Sequence, residues 1–506
     1  MREADYVIVG AGTAGCVLAD RLSEDGGAQV LLLEAGGTDR RPDVIVPGAA
    51  SRLHRSGADW GFYTTPQPAL GGRRVYVPRG KLVGGSGSTN TLIAIRGVPL
   101  DFDEWRDGGA TGWGWDDLRP LFERIDERMP VRTPTWTHPL WDAFVEASRQ
   151  RDLPLEETGF QREAIDGVGL FGFHVRDGQR LSTAVAYLRP ARRRGNLEVR
   201  TRAQVKRLRI EGGRCTGVEL RDGEVIRARS EVILAAGAIG SPQLLMLSGV
   251  GPGEHLKAMG IDVARDLPVG DGMQDHPILH LADACREPIS VNTTIERPGT
   301  VMQWLLKRDG MLAWPLPGAG GFLRTVEGLA RPDIQLHFVA GWARDPHDYE
   351  GRPMTDGYLL GPTLCKPRSR GRLRLASPFA HEPPAIDPAL LDDPEDVATL
   401  VRGYRVSRRI LDAPAFDRYR GEPLRPDRRL ETDAEIEAFL RAACMTTYHP
   451  SCTCRIGHVV DPALRVLGVE GLRVVDASVM PSVTTANTNL PTIAIAEKAA
   501  DHIREG

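Results

Sequence analysis

The chain has 506 residues, of which 41% are hydrophobic and 26% charged, and its net charge is −3. Such a composition is that of an ordinary soluble globular protein, and the charge gives no general attraction to nucleic acid or anionic lipid. The length exceeds what one core usually serves, so two domains are expected.

In chain order, the first signal is DYVIVGAGTAGCVLADRLSEDGGAQVLLLEAG. Tyr6 to Val9 read as a strand, and Gly10, Gly12 and Gly15 form a G-x-G-x-x-G turn: the first for a tight bend, the second for close approach of a pyrophosphate, the third for helix packing. Ala14, Val17, Leu18 and Leu22 then recur at helical spacing. Glu34 ends the apolar run Val30 to Leu33, where a carboxylate would accept hydrogen bonds from a ribose diol. An ADP-containing cofactor is expected, and at this point NAD and FAD are both open. Because the fingerprint begins at residue 5, no signal or transit peptide is expected ahead of it and the predicted location is cytoplasmic.

Further strands suited to the same sheet are Glu231 to Ala235 and Leu472 to Val475, which predicts a discontinuous nucleotide domain. The uncharged stretch Val232 to Gly253 is long enough to span a bilayer, but it reads as a strand, a turn and a helix capped by Ser241, started by Pro242 and stopped at Gly249. No membrane span is expected. Residues 151–185 and 276–439 carry more Trp, Pro and alternating patterns such as IQLHFV at Ile334 to Val339. The predicted class is α/β: a Rossmann-like nucleotide domain from residues 1–150, 186–275 and 440–506, and a sheet-containing substrate domain from 151–185 and 276–439. The substrate should lie between them.

Seven cysteines, an odd number, argue for thiols in a reducing compartment. His449, Cys452, Cys454 and His458 have metal-like spacing, but they sit in one short loop with no second ligand pair, and no metal is expected.

Several separate segments together resemble the glucose, methanol and choline (GMC) oxidoreductase family of FAD enzymes, over nearly the whole chain. They are VIVGAGTAG…LLLEAGG, DWGFYTTPQ at Asp59 to Gln67, PRGKLVGGSGSTNTLIAIRG at Pro78 to Gly97 and EVILAAGAIGSPQLLMLSGVGP at Glu231 to Pro252. VGDGMQDHP at Val269 to Pro277, YHPSCTCRIG at Tyr448 to Gly457 and VVDASVMPSVTTANTNLPTIAIAEKAAD at Val474 to Asp501 complete the set.

The resemblance implies FAD rather than NAD. By it, Thr13 and Ala14 would present amides to the pyrophosphate, and Glu34 with Ala35 would hold the adenosine ribose. Asn90, Thr91, Leu92 and Ile93 would pass beside the isoalloxazine and ribityl chain, Val205 would meet the adenine through its backbone, and Ala477 and Thr488 would line the cofactor further along. Some members attach FAD through a histidine just before the asparagine of this turn; Thr89 stands there, which implies non-covalent FAD. Three departures from the family pattern stand out: Gly87 interrupts the usual paired serines, Gly272 replaces an asparagine, and Cys452 replaces a glycine and is a candidate oxidisable thiol.

The chemistry expected by resemblance is oxidation of an alcohol to the aldehyde or ketone, with electrons passing on to O₂ or another acceptor. His449 is the candidate base, since a histidine accepts a proton near neutrality. Asn487 is the candidate donor to the substrate oxygen and also a flavin contact. Pro491 suits the first turn of a helix whose amides would face the flavin. Phe338, Trp342 and Tyr448 are candidate walls for a neutral primary alcohol, aromatic or otherwise amphipathic. The alternatives are a lyase of the hydroxynitrile type, a photodecarboxylase, or a non-catalytic flavoprotein.

Overall fold

The computed structural model describes residues 2–343, 345 and 355–505. Two sheets organise them. In the first, Glu3–Val9 pairs in parallel with Val30–Leu33 on one side and Val225–Leu234 on the other. Leu197–Arg200 extends the parallel run beyond Val30–Leu33, and Leu472–Val474 joins Val225–Leu234. Arg214–Leu220 and Val205–Glu211 continue it antiparallel, giving seven strands.

Val7, Ile8, Leu31, Leu32 and Ile233 are fully buried, as central parallel strands covered on both faces must be. The helices Thr13–Leu22 and Asn489–Glu505 pack against each other, and Trp115–Arg128 packs on the second of them. Glu497 is buried there and meets the guanidinium groups of Arg21 and Arg124.

Glycine geometry makes the first strand-turn-helix possible. Gly10 has φ +102°, and a Cβ on it would lie 2.6 Å from the carbonyl oxygen of Ala235. A Cβ on Gly15 would lie 1.9 Å from the carbonyl oxygen of Gly10. The helix therefore comes down onto the turn at a distance no side chain permits.

The helix after Val225–Leu234 runs over Gly237–Leu247, so it starts before the expected Ser241 cap and contains Pro242. Proline lacks the N–H that would bond the carbonyl of Ala238. The Thr453 hydroxyl donates to that carbonyl instead, at 2.7 Å. Ser241 bonds the Asp476 carboxylate, at 2.6 Å, rather than serving as the first cap.

The second sheet has eight strands. Its main path runs Arg420–Arg425, Leu281–Cys285, Gly357–Leu364, Ile334–Val339, Ala319–Leu323 and Gly167–Leu170, antiparallel throughout. Pro277–Ile278 and Met445–Thr446 pair with each other at its edge. The helices Pro394–Leu411 and Pro139–Arg149 cover one face, and the other faces the nucleotide half.

Four segments depart from the expected division of the chain. Pro139–Arg149 lies in the part assigned to the nucleotide domain but packs on the second sheet through Leu140, Trp141 and Phe144. Met445–Thr446 is likewise a strand of the second sheet. In the opposite sense, Gly371–Arg374 pairs with Asp271–Met273 on one side and Ala385–Asp387 on the other, and these strands send Leu373 and Ile386 into the nucleotide core. Hydropathy along the chain does not report which of two cores an apolar residue joins.

Candidate active site

One cavity of about 510 Å³ runs between the two sheets. That volume suits a small-molecule site. Its nucleotide end is built where the first sheet's strands stop. Gly10, Gly12, Thr13, Ala14, Glu34 and Ala35 line it, with Val205 and Ala477 alongside. The helix Thr13–Leu22 opens on Gly12 with no side-chain cap, so its first amides are available to an anion, reinforced by the helix dipole. Space is kept clear around it, because a Cβ on Gly85 would come within 2.8 Å of Gly12 Cα and one on Gly87 within 2.7 Å of Thr13 Oγ1. The departure at Gly87 thus admits Thr13.

Glu34 is buried, and its carboxylate accepts N–H bonds from Ala11 at 3.0 Å and Gly36 at 2.7 Å. Burial outweighs those bonds and pushes its pKa up to about 7. These uncapped amides, the glycine cradle and a sequestered acceptor fit the ADP part of a dinucleotide.

Asn90, Thr91, Leu92 and Ile93 line the middle of the cavity. Arg180 holds that turn, donating to the carbonyl oxygen of Asn90 at 2.7 Å and its Oδ1 at 2.8 Å. Thr488 and Asn489 open the helix Asn489–Glu505 on the same wall, and Thr13 Oγ1 donates to Asn489 Oδ1 at 3.0 Å.

The far end is built around His449. His276 Nδ1 lies 2.9 Å from His449 Nδ1, and His276 Nε2 lies 2.9 Å from the carbonyl oxygen of Thr484. A carbonyl only accepts, so in neutral His276 the proton is on Nε2 and Nδ1 is the acceptor. His449 must then donate from Nδ1, which leaves its Nε2 bare. The Thr447 hydroxyl, already donating to the carbonyl of His276 at 3.1 Å, can accept a share of the same proton at 3.2 Å.

Asn487 Nδ2 lies 3.3 Å from His449 Nε2, and Asn487 Oδ1 accepts from Gln335 Nε2 at 3.0 Å. Burial, His276, Arg79 and His337 hold the His449 pKa well below the ordinary value of 6.5. It is a neutral imidazole at pH 7. Asp275 anchors both histidines by accepting their backbone N–H groups, at 2.7 Å from His449 and 2.8 Å from His276.

The loop carrying His449 is strained. Tyr448 has φ +69° and Cys452 φ +70°, values that favour glycine. A glycine, which the resemblance implies at the latter position, would adopt this backbone without strain. Cys452 is fully buried, with Sγ 3.3 Å from Ser451 Oγ, and does not line the cavity. It is not placed as an accessible thiol. Gly272 has φ +82° and Arg455 packs where its side chain would be. Among the described residues, no cluster of three or more His, Cys, Asp or Glu has the arrangement of a metal site.

Trp342 and Tyr448 line the cavity, whereas Phe338 does not. Its ring is stacked on Phe144, with centroids 4.7 Å apart, on the helix-covered face of the second sheet. The neighbouring His337 and Val339 point the other way and form the wall. Gly15 also lies outside the cavity, under Gly10. Asp275, His276, Gln335 and His337 were missed as site residues. The segment MQDHP at Met273 to Pro277 carried the signal for the first two.

A nucleotide-binding sheet, a second sheet roofing its cavity, and a neutral histidine beside an amide define a dinucleotide-dependent oxidoreductase. The chain belongs to the GMC oxidoreductase family: the amino-terminal family model matches residues 4–278 and the carboxyl-terminal one residues 367–496. It is an FAD-dependent enzyme. It is 39% identical to an oxygen-dependent choline dehydrogenase of Sinorhizobium fredii, over 99% of this chain and 95% of the relative. A similar protein of Rhizobium etli is 38% identical at the same coverage. Among solved structures, pyridoxine 4-oxidase from Mesorbium loti superposes with a TM-score of 0.88 at 31% identity, covering 99% of both chains. Formate oxidase of Aspergillus oryzae reaches a TM-score of 0.92 at 26% identity, covering 99% of this chain and 98% of that one. No helix among the described residues is long and apolar enough to cross a membrane.

Proposed function

We propose that this protein oxidises a neutral primary alcohol, aromatic or otherwise apolar, with His449 as the base, Asn487 as the orienting donor and FAD held without a covalent bond. The observation that carries this reading is the His449 tautomer. Its Nδ1 proton is committed to His276, so Nε2 is the basic atom, next to the Asn487 amide.

FAD, when bound, supplies the acceptor for the hydride that leaves the carbinol carbon. The chain's residues manage the other half of the oxidation. His449 Nε2 takes the hydroxyl proton as the hydride departs, and the positive charge it acquires is shared along Nδ1–H toward His276. The Asn487 amide, fixed by Gln335, donates to the substrate oxygen while that oxygen carries negative charge. Arg180 and the helix start at Asn489 hold the neighbouring backbone in place.

The side chains around His449 favour an uncharged substrate. Ile278, Leu316, Val339, Trp342, Leu359 and Tyr448 line this end. Among the described residues, the cavity's carboxylates are Glu34 and Asp476, both in the nucleotide half. Two of the relatives above are named for choline, a cation, and one for pyridoxine. Thr89, rather than a histidine, lines the cavity before Asn90, which supports dissociable FAD.

Anaerobic mixing of the holoenzyme with aromatic and aliphatic neutral alcohols and with choline tests the reading, followed by admission of O₂ and assay for peroxide. Neutral alcohols should bleach the flavin. Faster bleaching by choline than by every neutral alcohol would overturn the substrate class, and release of cyanide or CO₂ without bleaching would overturn the oxidation itself.

A further inference from the structure

The helix Pro298–Lys307 lies between two chain segments that line the cavity, Val291 to Ile295 before it and Pro315 to Pro317 after it. A surface helix ordinarily buries its apolar stripe. This one buries Trp304, whose indole N–H donates to the carbonyl of Gly178 at 2.8 Å, and turns the rest of its apolar residues outward. Val301 is 37% exposed, Met302 49%, Leu305 50% and Leu306 75%. Spaced i, i+1, i+4 and i+5, they share one side of the helix.

Arg297, Lys307 and Arg308 are exposed at the two ends of this face. None of the three meets a carboxylate among the described residues. Arg297 donates to the carbonyls of Thr293 and Pro288, and Arg308 lies 4.1 Å from the centre of the Trp304 ring. Although the chain is net acidic, this patch is apolar and basic together.

We infer that the helix Pro298–Lys307 is a docking surface for an anionic lipid bilayer, with Val301, Met302, Leu305 and Leu306 entering the interface and Arg297, Lys307 and Arg308 meeting headgroup phosphates. Interfacial helices combine these two features. A second copy of the chain fits less well. Symmetric pairing would set the same cations against each other, and a helix about 15 Å long falls far short of the roughly 800 Å² per partner of a stable interface. Glu296 pairs with Arg52 at 2.7 Å, and the helix packs on Met311–Ala313, so the face is held beside the outer wall of the cavity. Docking would bring that wall to the lipid.

The test is co-sedimentation of the holoenzyme with vesicles of phosphatidylcholine alone and of phosphatidylcholine mixed with phosphatidylglycerol. The wild-type protein should sediment with the anionic vesicles and not with the neutral ones, and added salt should weaken the binding. Leu305→Ser with Leu306→Ser, and separately Arg297→Glu with Lys307→Glu, should each lower the bound fraction about tenfold. Retained FAD and unchanged thermal unfolding establish that the variants are folded, and the charge pair keeps the test open if the serine pair is not. Absence of vesicle binding, or equal binding by all three proteins, overturns the inference. So does light scattering that shows a wild-type dimer split by the serine pair, since that assigns the face to a second copy.

Discussion

His276 and His449 face each other through their Nδ1 atoms at 2.9 Å, with ring planes at 87°, so one imidazole sets the proton position of the other. His449→Ala should keep its flavin and lose about 10²- to 10⁴-fold in the rate of flavin reduction. For His276→Ala the loss should be smaller, about 10- to 100-fold, because the Thr447 hydroxyl remains to accept the Nδ1 proton. Stopped-flow reduction at saturating alcohol measures both. An unchanged rate in His276→Ala would remove it from the proton path.

The same burial predicts an unusual pH profile. His449 is held well below 6.5, and His276 is lowered to about 4, mainly by burial. A base with a lowered pKa keeps its reactive neutral form as the pH falls, so the reduction rate should be flat from pH 8 to pH 6 where an ordinary histidine would have lost more than half. Stability follows the same sign. Unfolded histidine takes up a proton below about 6.5, whereas folded His276 resists protonation down to about 4. Its contribution to stability is therefore complete above the unfolded value and is lost as the pH falls through that window. Glu34, raised to about 7, acts in the opposite sense. Removing it as Glu34→Gln should steepen the acid loss seen by urea titration.

Two glycines of the fingerprint should separate binding from folding. Gly12 has φ −74°, and its nearest obstacle to a Cβ is Ala235 O at 3.7 Å, so Gly12→Ala should fold. Its methyl group would occupy the cofactor's approach, and FAD retention through gel filtration should fall. Gly15→Ala, with a Cβ 1.9 Å from Gly10 O, should instead lower expression or thermal stability.

Much of this site was legible because its signals are local. The glycine turn, Glu34 and the His449 loop each carry their geometry within a few residues, as the positive φ angles at Gly10, Tyr448 and Cys452 illustrate. His276 was not legible as a partner, because its contact with His449 spans 173 residues and comes from strand pairing. Phe338 was misplaced for another reason. Ile334, Gln335, Leu336 and Phe338 are all fully buried, so alternation along IQLHFV does not reveal which face meets the cavity. A polar residue in such a strand, here His337, was the better pointer.

Pro242 and Thr453 should be energetically coupled. Thr453→Val removes the hydroxyl that donates to the Ala238 carbonyl and should cost about 1–3 kcal/mol in urea unfolding. Pro242→Ala restores a main-chain N–H for that carbonyl, so Thr453→Val should cost less in its presence. Additive effects would mean that the hydroxyl does not replace the missing helix bond.

The ribbon formed by residues 274–278 and 445–451 has a mechanical consequence. It pairs Pro277 with Thr446 and Ile278 with Met445, exchanges bonds between Gln274 and Ser451, and continues into Cys452 and Cys454, whose N–H groups bond the carbonyls of Ala477 and Ser478. The second sheet and the nucleotide core are thus stitched together at the two histidines themselves. Rotation of one half against the other would tear the imidazole pair apart. Substrate admission is therefore expected through loop and side-chain movement at the cavity's rim rather than through rotation of the two halves.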